Sequence, residues 1–229
     1  MAHGLRRLYP GIPPQAAFDY LRSCARPDSD GFGRQQQIDA LETWLRDAAL
    51  CVPKQALDAI FVGAGAEHST FFDVADGVAF KVTFDGRFGH CLRDEGAVAT
   101  PLDYLERLVL HNELFADDIL LHGLLESSSG MRLVSSQPWI VAPIEQPSPS
   151  QENIDLFLEE FGFIRSGAYP DGFVYFNAEA DLVIGDAQPA NVLIDEAGVL
   201  HPIDLVIARP AARFRARLAA APVWGACPQ

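Results

Sequence analysis

The segment Ile184-Gly185-Asp186-Ala187-Gln188-Pro189-Ala190-Asn191-Val192-Leu193-Ile194 sets a carboxylate five positions before a carboxamide, and apolar strand formers follow. Asp204 comes thirteen positions after Asn191, inside His201-Pro202-Ile203-Asp204-Leu205-Val206. These types in this order suit phosphoryl transfer. A carboxylate at Asp186 can orient an acceptor hydroxyl and take its proton. The amide oxygen of Asn191 and the carboxylate of Asp204 are hard donors that can hold Mg²⁺ against phosphates.

A phosphate-holding element is expected upstream. Val62-Gly63-Ala64-Gly65-Ala66-Glu67-His68 precedes a strand pair that ends in Val78-Ala79-Phe80-Lys81-Val82. Gly63 and Gly65 would let backbone N–H groups approach phosphate oxygens, and His68 stands where a third glycine could be. Lys81, inside an apolar strand, can place its ammonium on the phosphates. A GxG turn is also common in plain hairpins, so its place ahead of Asp186 and Asp204 is what gives it weight. A helical carboxylate to pair with Lys81 is offered by Glu106 and Glu113. They lie seven positions apart and so share a face. Glu106 is preferred because it leaves more chain before the next strand. A solvent-facing Glu106 beside Arg107 is the alternative.

These residues need a scaffold. Helices are expected over 15–25, 35–50, 101–115 and 150–161. Phe18, Leu21 and Cys24 line the first, and Leu102, Leu105, Leu108 and Val109 form a stripe on the third. Strands are expected over 69–74 and 78–82 around an Asp76-Gly77 turn, then 119–125 and 131–142, 173–177, 181–185, 192–194 and 199–203. Residues 1–14 read as an irregular arm and 143–150 as a proline-rich connector. The expected division is an arm with helices over 1–55, an upper lobe over 56–142 and a lower lobe over 143–229.

The chain resembles the protein-kinase-like superfamily. In detail it is similar to the kinase domain of phage and mobile-element polyvalent proteins. The residues that carry this are Gly65-Ala66-Glu67-His68, Phe80-Lys81-Val82-Thr83, Ala99 to Arg107, His111-Asn112-Glu113-Leu114-Phe115, Ser136-Gln137-Pro138 and Pro202-Ile203-Asp204. They span about Gln35 to Ile207. Gly185-Asp186 through Asn191 also resembles aminoglycoside and other small-molecule phosphotransferases. The resemblance implies an α+β, bilobal kinase-like fold with an antiparallel upper-lobe sheet. It implies ATP and Mg²⁺ as cofactors, with Lys81, Asp186, Asn191 and Asp204 as the working set. Ile184-Gly185 stands where a His or Arg usually precedes the catalytic Asp, and Leu205-Val206 replaces the glycine after the metal-binding Asp. Few residues follow Asp204, so a reduced lower lobe is expected, and the hydroxyl acceptor, protein or small molecule, is left open. A nucleotide-binding pseudokinase or interaction module is the alternative.

Composition excludes other classes. Thirty-one acidic against 17 basic residues give a formal charge of −14, which disfavours nucleic acid and anionic membranes as partners. With 49% hydrophobic residues, a sizeable core is available and global disorder is disfavoured. The four cysteines form no CxxC pair, so reduced thiols in a cytoplasmic setting are expected. No secretory leader or membrane span is expected. Six histidines contain no HExxH and the chain has no GxSxG, which disfavours zinc and serine hydrolases.

Overall fold

The computed structural model describes residues 4–25, 32–58, 60–93, 97–126, 130–143, 148–169 and 172–223. The chain divides into two compact units. One holds residues 1–89 and 98–139, the other 90–97 and 140–229.

The first unit is built on a six-stranded sheet. Its strands are β1 (Cys51–Pro53), β2 (Phe61–Ala64), β3 (His68–Asp73), β4 (Val78–Thr83), β5 (Leu120–Glu126) and β6 (Leu133–Pro138), in the order β1-β5-β6-β4-β3-β2. All neighbours are antiparallel except β1 and β5, a parallel edge pair absent from the sequence reading. Gly123 permits that edge. Its φ is +107°, and a Cβ there would lie 2.0 Å from the Leu50 carbonyl oxygen. Only glycine accepts both conditions.

Strand alternation sorts the faces of β4. Val78, Phe80 and Val82 enter a core with Val52, Leu57, Phe71, Leu125 and Val134. The chain start closes over this core with Leu5 and Tyr9. The expected irregular arm contains a short helix, α1 (Leu5–Leu8), and is pinned to the sheet. The Leu5 and Arg6 amides donate to Asp73 and Asp76 at 2.5 and 2.7 Å, Arg6 pairs with Asp118 at 2.8 Å, and Ile12 bridges to Leu121.

The unit also holds α2 (Pro14–Cys24), α3 (Arg34–Asp47), α4 (Lys54–Asp58) and α5 (Pro101–Phe115). α5 starts at a capping box in which Thr100 and Asp103 satisfy each other's amides, with Pro101 at the first helical position. The sequence stripe marks one apolar face, yet every residue from Tyr104 to His111 is buried. α2 and α3 pack on α5, and Tyr104 of α5 reaches Ser135 of β6. The Gln37 side chain ties α3 to α5 by accepting from the Leu102 amide at 3.0 Å.

In the second unit, α6 (Gln151–Glu160) begins at a Ser150–Asn153 capping box. Strands β7 (Ile164–Arg165), β8 (Tyr175–Asn177), β9 (Leu182–Gly185) and β12 (Val206–Ala208) form an antiparallel sheet in the order β12-β9-β8-β7. Between β9 and β12 the chain makes a hairpin of β10 (Val192–Ile194) and β11 (Leu200–Pro202). Helix α7 (Ala212–Ala220) buries Phe214 and Leu218 against Val174, Val183 and Ala208. Its arginines face outward, and Arg215 forms a 2.5 Å pair with Asp181.

Candidate active site

The segment 185–191 is shaped by three local devices. β9 ends at Gly185, where a Cβ would come 2.5 Å from a Leu92 methyl, so a larger residue there would displace the Leu92 side chain. Asp186 follows with φ +56°, the left-handed region that a non-glycine residue occupies at a cost of about 1–2 kcal/mol. Its neighbours hold it there. Asn191 Nδ2 donates to the Asp186 carbonyl at 2.9 Å and to its Oδ2 at 2.8 Å. Gln188 Nε2 donates to Oδ1 at 2.7 Å. Both carboxylate oxygens therefore accept amide hydrogens, which fixes the carboxylate plane. The Asn191 amide nitrogen is spent on Asp186, so its oxygen is the atom left for other work.

Asp204 is brought alongside by register. The β10–β11 ladder pairs Val192 with Pro202, and the Ile203 amide continues it by donating to the Asn191 carbonyl at 2.9 Å. Gly185 pairs with Val206, so Asp186 and Asp204 leave adjacent strands at one end of the sheet. The hairpin turn is locked by Asp195, which accepts from the Ala197 and Val199 amides and from His201. The His201 hydrogen bond, followed by the Val199 amide, lowers the Asp195 carboxyl below the usual range. Leu205, which follows Asp204, is fully buried.

A polar network supports the loop from behind. Gln151, in the first turn of α6, donates to the Ala187 carbonyl at 2.9 Å and to the Tyr175 hydroxyl at 2.7 Å. That hydroxyl donates to Asp155. Burial, then the hydrogen bond and charge of Asp155, push Tyr175 well above its ordinary range, so it stays a donor. Neither Gln188 nor this network was foreseen. The signal available was a Gln two residues after Asp186.

In the first unit, Lys81 lies opposite Thr70 on β3 and Ser135 on β6. Directly opposite residues share a face, and this is the face away from Phe80. Tyr104 of α5 reaches it, with its hydroxyl 3.5 Å from Ser135 Oγ and its ring 5.8 Å from that of His68. So α5 covers the lysine-bearing face. Glu113 is exposed, while Glu106 is 8% exposed. At about 100° per residue, Glu106 sits about 200° round the helix from Tyr104, and Arg107 only about 60° from it. The helix thus turns Arg107 toward the lysine-bearing side.

Arg107 Nη1 meets Glu67 Oε2 at 2.6 Å, with side-chain exposures of 4% and 10%. This pair was missed, although a charged residue on a helix buried all round demands a counter-charge. Gly63 and Gly65 have no left-handed φ, and a Cβ on Gly63 would meet no described atom within 4 Å. The Gly65 amide closes the turn onto the His68 carbonyl at 2.8 Å.

Among the described residues, no helix is long and apolar enough to cross a membrane. No curated protein matches the chain. A family model described as a serine/threonine/tyrosine kinase found in polyvalent proteins matches residues 34–209, from the start of α3 to just past β12. The α+β architecture of a sheet with its covering helix, followed by a loop, a hairpin and a second aspartate, agrees with that match. The chain therefore belongs to the serine/threonine/tyrosine kinase family found in polyvalent proteins.

Proposed function

We propose that the protein is a Mg²⁺–ATP-dependent phosphotransferase acting on a hydroxyl acceptor, a protein side chain or a small molecule. The observation that carries this reading is the joint held by Asn191, which binds Asp186 through its amide nitrogen and Asp204's neighbour through its carbonyl. Asp186 orients the acceptor hydroxyl and receives its proton. Its carboxylate is already fixed by Gln188 and Asn191, so little reorganisation is needed on reaction. The donor set of one amide oxygen and one carboxylate suits a small hard cation, so Asn191 and Asp204 would hold Mg²⁺. When bound, the metal neutralises phosphate charge.

Lys81 holds the phosphates. Gly63 supports this reading because neither backbone strain nor local packing requires a glycine there, which leaves clearance for a ligand. A reducing, cytoplasmic setting goes with it: Cys24, Cys51 and Cys91 are free thiols.

The test is ATP turnover and transfer with wild type, Asp186→Asn and Asp204→Ala. Asp186→Asn should reduce turnover by about a thousandfold while nucleotide affinity stays within a few-fold, because the carboxylate acts in the transition state. Asp204→Ala should remove the Mg²⁺-dependent part of the rise in melting temperature that ATP produces. Wild type that binds ATP yet transfers to no hydroxyl and to no water would make the protein a nucleotide-binding module instead.

A further inference from the structure

We propose that Glu67 and Arg107 are the positioning pair that fixes the glycine turn of the phosphate site to α5. In this pair the helix supplies the cation and the turn supplies the carboxylate. The proposal rests on the phosphotransferase reading for what the turn holds, and on the structure alone for how it is held.

Three observations carry it. The ion pair joins residues forty positions apart at 2.6 Å, and Arg107 is almost wholly buried. Glu67 belongs to the same short turn as Gly65, between Gly63's strand β2 and the His68 that opens β3. The seat of its carboxylate is shaped: Gly89 has φ +77°, and a Cβ there would lie 2.6 Å from the Glu67 carboxylate. A turn that begins at a glycine has added conformational freedom, and within it the Gly65–His68 hydrogen bond is the local restraint. Anchoring its last residue to a rigid helix removes that freedom before any phosphate arrives. Arg107 touches no reacting atom in this scheme; it acts through the turn.

The singly neutral variants leave a buried charge behind and are the poorer probes. The informative variant is Glu67→Leu with Arg107→Met, which removes both charges and keeps volume; Glu67→Gln alone is the reserve if it does not fold. Amide hydrogen exchange and ATP–Mg²⁺ titration read the outcome. Exchange at Gly65 should accelerate about tenfold or more while Phe80 in β4 keeps its protection. The Kd for ATP should weaken about tenfold, as expected when one hydrogen bond to phosphate is misplaced, with kcat at saturating ATP little changed. A folded double variant with unchanged Kd would overturn the proposal, and so would unchanged exchange at Gly65. If wild type binds no nucleotide but the double variant loses Gly65 protection, the phosphotransferase reading fails and the anchoring of the turn stands.

Discussion

Replacing Asn191 by Asp changes one nitrogen to oxygen and tests the joint on which the site reading depends. The two donations from Nδ2 to Asp186 disappear, and a carboxylate oxygen takes the place of a nitrogen 2.8 Å from Asp186 Oδ2. Asp186 is exposed, so the full value of two buried hydrogen bonds does not apply, and about 1 kcal/mol is a fair sum. Two like charges at that separation repel by about 1.5 kcal/mol even at the dielectric constant of water. The total, about 2.5 kcal/mol, corresponds to a fall in melting temperature of about 5–10 °C for a chain of this size. The repulsion also raises the proton affinity of the carboxyl pair in the folded variant above the unfolded value of about 3.9. The penalty is therefore complete at neutral pH and shrinks as pH falls through the raised folded value. Calorimetry of wild type and Asn191→Asp at pH 7 and pH 5 measures both effects. A variant that melts with wild type at pH 7, with no gain at pH 5, would show that Asn191 does not hold Asp186 in solution.

If Glu106 pairs with Lys81 as the sequence reading has it, Glu106→Gln should weaken the Kd for ATP about tenfold; a Kd within about twofold of wild type would count against that pairing. Gly123→Ala should cost about 3 kcal/mol or more, from a left-handed φ and a Cβ driven onto the Leu50 carbonyl; an unmoved denaturation midpoint would contradict the parallel pairing of β1 and β5. Burial lowers the His122 imidazole below its ordinary value, with the Tyr9 carbonyl opposing and Arg6 adding to the shift. The unfolded chain then takes the proton first, so stability should fall as pH drops below about 6.5, and an NMR midpoint for His122 at or above that pH would refute the assignment.

The residue types and spacing of Asp186, Asn191 and Asp204 were legible in the sequence because their positioning is local. One loop and one hairpin join them, and a short ladder has few registers available. The helix over 101–115 was legible for the same reason, through Thr100, Pro101, Asp103 and an apolar spacing. What lies opposite a residue across the sheet was not legible. The parallel seat of Cys51–Pro53 beside β5 depends on a glycine some seventy positions later, and no periodicity announces it. The face of α5 that meets the sheet was decided by tertiary packing. Composition shows a carboxylate on a helix, but the face that meets the sheet depends on where α2 and α3 pack, and α5 is buried on every side. Burial all round erases the amphipathic signal that would have oriented the helix. It also makes a solvent-facing arginine impossible at position 107, and so a short-range sequence reading could not join Arg107 to a glutamate forty residues before it.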